Sequence, residues 1–98
     1  MTFRPADEYG PVLAGRGSAG RFRARVEELA ERAPVVIDFD GITTVSPSFA
    51  DELFAKLRPD LVEDGNVRFE NMGDGIDAIA RYVVGLRRRA SAADGADE

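Results

Sequence analysis

At 98 residues, 44 % hydrophobic and 32 % charged, the chain suits one small globular domain. It has neither cysteine nor histidine, which excludes disulfide frameworks, Cys/His zinc sites, thiol nucleophiles and imidazole bases, so no enzyme, metal or cofactor is expected. The charge of −5 falls to about −2 once Asp94, Asp97 and Glu98 are set aside, leaving no field to draw nucleic acid, and no run approaches the roughly 20 apolar residues of a membrane span.

Taken in order, Thr2-Phe3-Arg4 reads as a short first strand, followed by a stretch punctuated by Pro5, Gly10 and Pro11. Val12-Leu13-Ala14 reads as a second short strand, and then comes the glycine cluster from Gly15 to Gly20. Phe22, Val26, Leu29, Ala30 and Ala33 recur at helical spacing and define one buried face. Arg23–Glu27 and Glu28–Arg32 are i,i+4 pairs expected on the solvent side, and Pro34 ends the helix. Val35-Val36-Ile37 is a continuous β-branched run, as in a strand covered on both faces. Asp40-Gly41 reads as a turn and Ile42–Val45 as a further β-prone run.

The next helix carries Phe49, Leu53, Phe54 and Leu57 on one face and is broken or restarted at Pro59. After the Asp64-Gly65-Asn66 turn, Val67-Arg68-Phe69 alternates as a strand. Asp74 is the expected N-cap of a last helix that buries Ile76, Ile79, Ala80 and Val83. Arg87-Arg88-Arg89 closes it, where cations complement the helix dipole. The domain is thus expected over 1–89, and residues 90–98, all Ala, Ser, Asp, Gly and Glu, form an expected disordered acidic tail. No charged-then-apolar leader opens the chain, and a cytoplasmic protein is expected. Strands alternating with helices predict an α/β layer fold.

Three motifs are candidates for function. In Ser46-Pro47-Ser48 either serine suits an N-cap: Ser46 with Pro47 in the first helical position, or Ser48 with Asp51 three residues on. Asp38, Asp40, Asp51 and Glu52 form a carboxylate set read as turn and helix-dipole acids, with Asp38 hydrogen-bonded near the corner. Oxygen clusters of that kind also suit magnesium or calcium. Gly15-x-Gly17-x-x-Gly20 satisfies a dinucleotide-binding spacing and opens a helix, but follows at most three apolar residues in a chain too short for two mononucleotide halves. Its looser reading is an anion site formed by Arg16, Arg21 and the helix amides.

The run from Val35 to Leu57, with Ile37-Asp38-Phe39 and then Ser48-Phe49-Ala50-Asp51-Glu52-Leu53, resembles a STAS-like family of unassigned function. That family is related to the STAS domains of bacterial anti-sigma-factor antagonists. The resemblance implies a single small domain with a four- or five-stranded mixed sheet flanked by helices. It also implies a non-enzymatic regulatory role in partner switching, with a kinase-like ATPase or anti-sigma-type protein as partner. In the antagonists this corner carries a phosphorylatable serine, and Ser48 is the matching position. Here the corner reads Ser-Pro-Ser-Phe where the antagonists usually read Asp-Ser-Ser-Gly. The expected partner surface is therefore the corner Val45–Glu52, above all Ser46, Ser48, Asp51 and Glu52. A small nucleotide- or anion-binding domain using Gly15–Arg21 is the alternative.

Overall fold

Among the described residues, five strands of two to four residues each are interspersed with helices. The structure, a computed structural model, describes the backbone of residues 1–96 and the side chains of residues 1–86. The elements in order are β1 (Thr2–Phe3), α1 (Pro5–Tyr9), β2 (Val12–Leu13), α2 (Arg16–Ala30), β3 (Val35–Asp38) and β4 (Thr44–Val45). There follow α3 (Pro47–Ala50), a π-helical turn (Asp51–Ala55), α4 (Pro59–Glu63), β5 (Val67–Glu70) and α5 (Gly73–Ala96). α1 is the element that composition hid. It lies in the stretch read only as punctuation, and Pro5 stands at its first turn, where a missing N–H costs nothing.

The strands do not form the single mixed sheet expected. They divide into a three-stranded sheet ordered β1-β3-β5 and a two-stranded one pairing β2 with β4, and each pairing is parallel. The connections explain this. A helix lies between β1 and β2, between β2 and β3, and between β4 and β5, and a helical crossover returns the chain in the same direction. The Asp40-Gly41 turn also fails to make a hairpin, because Pro11 O accepts from Thr43 N at 2.8 Å and draws β4 onto β2. Gly41 has φ +87°, and a Cβ there would lie 3.0 Å from Ala6 Cβ, so both conformation and space require glycine.

The larger sheet is covered on one face only, which corrects the reading of Val35–Ile37. Val35 and Ile37 are completely buried, with Phe3, Val67 and Phe69 on the same face, and the helices pack there. Thr2, Val36, Asp38, Arg68 and Glu70 form the opposite face and are exposed or half-buried. In α2, Phe22, Val26 and Ala30 are buried and Leu29 half-buried. Ala33 lies beyond the end of that helix and is exposed.

The helix from Pro47 onward is wedged between α2, α5 and the sheet. Phe49, Leu53, Phe54 and Leu57 are buried as their spacing predicts. Glu52 is buried as well. The π-helical turn winds more widely than an α-helix, so the consecutive Glu52, Leu53 and Phe54 all face packed neighbours. α5 buries Ile76, Ala80 and Val83, with Ile79 half-buried. It starts at Gly73, one residue before the expected cap, so Asp74 sits in its first turn. Its backbone is helical to Ala96; the side chains on which the acidic-tail expectation rests, and residues 97–98, lie outside the described residues.

Candidate partner-binding corner

β2 and β4 run side by side with Leu13 opposite Val45, and each leads into a helix. Arg16 and Ser48 are both the third residue past that pair. The parallel register therefore sets the start of α2 beside the start of α3, with backbone amides of both helices at the same end. No hairpin could arrange two helix starts in this way.

Ser46 is the cap. Its backbone is extended and its Oγ accepts from Phe49 N at 3.1 Å, while Ser46 O accepts the first helical bond from Ala50 N at 2.9 Å. Pro47 takes the first helical position. Ser48 comes next, half-buried, and its hydroxyl makes no hydrogen bond among the described residues. Of the two capping alternatives left open by the sequence, the structure selects Ser46.

The remaining corner residues meet the glycine-rich segment. Arg16 Nη1 donates to Asp51 Oδ2 at 2.9 Å and stands 3.6 Å from Glu52 Oε1. Glu52, 8 % exposed, also accepts from Lys56 Nζ at 2.5 Å and lies 3.5 Å from Arg23 Nη2. Arg23 in turn donates to Glu27 at 3.0 Å, and the other Glu27 oxygen accepts from Arg58 N at 3.0 Å. The Arg23–Glu27 pair, expected on the solvent side, is thus part-buried and belongs to this network. The Lys56 ammonium holds the Glu52 carboxyl below the usual carboxylate range, against the effect of burial, and Arg23 and Arg16 add to it.

Two separate proposals from the sequence, a partner surface at Asp51–Glu52 and an anion site at Arg16, thereby become one ionic cluster. Arg16 is occupied by the acids across from it. Arg21 remains exposed, with Ser18 Oγ at 3.4 Å as its partner among the described residues. Of the three glycines, only Gly15 has a positive φ, +90°, at the cap of α2; Gly17 and Gly20 lie inside the helix rather than in a phosphate-cradling loop. Gly20 faces Glu52, where an added Cβ would make ordinary contact with Oε2 at 3.7 Å.

The four acids do not converge. Asp38 accepts from Asn71 Nδ2 and from Asp40 N, each at 2.9 Å, and these bonds, with Arg4 nearby, keep its carboxyl below the usual range. Asp40 is paired with Arg4 at 3.1 Å. Asp38 and Asp40 therefore tie the end of β3 to α1 and to the β5–α5 turn, while Asp51 and Glu52 face α2. Among the described residues, no group of three or more acids is placed to hold a metal ion. Lys56 was findable from the sequence as the i+4 partner of Glu52. Arg23 and Arg16 were not, because they reach Glu52 only through helix packing.

The fold is a small α/β domain of parallel strand pairs, with a capped helix entering between two others. A family model assigns it more closely: residues 18–72 match the family described as a STAS-like domain of unknown function (DUF4325). The chain belongs to that family. No curated protein and no solved structure gives a significant match. The matched span takes in Ser46, Ser48, Asp51 and Glu52 but leaves out Gly15, Arg16 and all of α5. Among the described residues no helix is long and apolar enough to cross a membrane.

Proposed function

We propose that this domain is a non-catalytic regulatory module that binds a protein partner, of the kinase-like ATPase or anti-sigma type, through the corner Val45–Glu52. The observation that carries this reading is the division of labour between the two serines. Ser46 does the capping, so the Ser48 hydroxyl makes no hydrogen bond among the described residues in the first helical turn, three residues before the Asp51 that Arg16 holds. A phosphate at that position would meet the positive end of the helix macrodipole, which favours it, although the Phe49 and Ala50 amides are already bonded to Ser46. It would also meet Asp51 and Glu52, and Arg16 would be shared between old and new anions. A change of charge at Ser48 therefore alters the whole corner.

The alternative, an anion or nucleotide site at Gly15–Arg21, is less well supported because Arg16 is already paired. The test is capture of partners from native lysate on immobilised wild type, Ser48→Asp and Ser48→Ala, with phosphosite mapping of the native protein. A partner held by wild type and Ser48→Ala and lost with Ser48→Asp supports the reading. Unmodified Ser48 together with identical capture by all three forms would sink it. A saturable calorimetric response to nucleotides, abolished by Arg21→Ala, would favour the alternative.

A further inference from the structure

In the π-helical turn Asp51–Ala55 the local pattern of the chain and its packing disagree. An α-helix turns about 100° per residue, so in that winding Glu52 and Phe54 would leave Leu53 on opposite flanks. Ala50 and Leu57, both buried, fall on the Phe54 flank, so an α winding turns Glu52 to solvent. The wider turn buries all three residues instead. Phe54 is well placed there, with the Phe39 and Phe69 ring centroids 5.7 and 5.2 Å away. Glu52 brings a carboxylate into the packing against α2, where Lys56, Arg23 and Arg16 stand at 2.5, 3.5 and 3.6 Å. The accommodation is incomplete: Arg23 Nε is buried and has no hydrogen-bond partner among the described residues. Lys56–Arg58, which follow, lie outside any helix before Pro59 starts α4, so a change of winding is absorbed there.

We infer that Asp51–Ala55 is a two-state element. Its π winding holds Glu52 against Arg16, Arg23 and Lys56, and its α winding turns Glu52 out while Phe54 stays in the core. Each state gives something up. The π winding has the rarer backbone and a buried charge, whereas the α winding forgoes the ion pairs. The three cations therefore set the balance between them. A new anion that draws Arg16 away loosens the hold on Glu52, and the rewound turn then presents a second carboxylate next to Asp51. A local change of charge thus becomes a change of shape at the corner Val45–Glu52. That use of the element rests on the function proposed above; the two windings themselves do not.

The experiment uses the full chain, labelled with nitrogen-15 and carbon-13, and needs no partner. Scalar couplings across hydrogen bonds identify the carbonyl that each amide meets. For the Ala55 amide that carbonyl is Ala50, five residues back, in a π winding, and Asp51, four back, in an α winding. Wild type should show the coupling to Ala50, with relaxation dispersion confined to residues 51–57. Arg16→Gln and Lys56→Gln should each raise the minor population several-fold, and together they should move the coupling to Asp51. The Val35 and Ile37 signals should stay in place, which separates rewinding from loss of the fold. Glu52→Leu is the control. Its apolar side chain needs no cation, so in that background the same two substitutions should leave the winding unchanged. Coupling to Ala50 with flat dispersion in every cation variant overturns the proposal, and so do equal responses with and without Glu52→Leu. A corner that captures no partner leaves these measurements as they are, so the two readings fail separately.

Discussion

Ser46 and Ser48, two residues apart, have separate tasks, and stability measurements can tell them apart. Ser46→Ala removes the bond to Phe49 N and is expected to cost about 0.5–2 kcal/mol. Ser48→Ala, which removes no bond seen here, should stay within about 0.5 kcal/mol. Urea unfolding of the two variants checks the order; equal losses would return the cap to both serines. Glu52 has its own signature. Its carboxyl is held below the usual range by Lys56, so the unfolded chain, with an ordinary carboxylate, takes up the proton first as pH falls. Protonation there favours unfolding, and the contribution is present above the ordinary carboxylate range and lost as pH drops through the folded-state value. Glu52→Gln should therefore flatten the acid limb of the stability profile between those two points. An unchanged limb would mean that the cluster around Glu52 is not coupled to folding. That a serine caps this helix was legible from Ser-Pro-Ser; which serine does so depended on where the chain leaves β4, a tertiary matter.

Elements add a different constraint. The π-helical turn puts Phe54 against Phe39 and Phe69, with ring centroids 5.7 and 5.2 Å away, and leaves it 8 % exposed. Phe54→Ala should destabilise the domain by about 3–5 kcal/mol. A shift in thermal midpoint of only a degree or two would contradict that packing. Gly41 is tested by Gly41→Ala, which forces a side chain into a left-handed backbone and against Ala6, at an expected cost of about 1–3 kcal/mol. Periodicity revealed the apolar face of this central helix because the Phe49–Leu57 spacing is set by the chain itself. The burial of Glu52 was hidden, because a wide turn breaks the 3.6-residue pattern on which such readings depend. α1 was hidden for a related reason: five residues are too few to show a period.

The whole molecule holds two sheets in one core. Leu13 and Val45 of the smaller sheet belong to the same buried cluster as Val35, Ile37 and Val67 of the larger. Unfolding should accordingly be a single transition, with far-ultraviolet dichroism and the amide signals of both sheets melting together. Separate midpoints for Leu13 and Ile37 would show that the sheets are independent units. From its residues alone this chain determined its α/β class, the buried faces of α2, α3 and α5, the turn at Asp40-Gly41 and the STAS-like resemblance. All of these depend on neighbours within a few residues, where apolar spacing and turn chemistry act. The tertiary structure alone decided that β4 joins β2 rather than β3, that the larger sheet has an open face, and that Arg16 meets Asp51. Pairing and charge contacts of that kind join residues more than 30 positions apart, and what selects among such partners is the packing of helices between strands, which leaves no local pattern in the sequence.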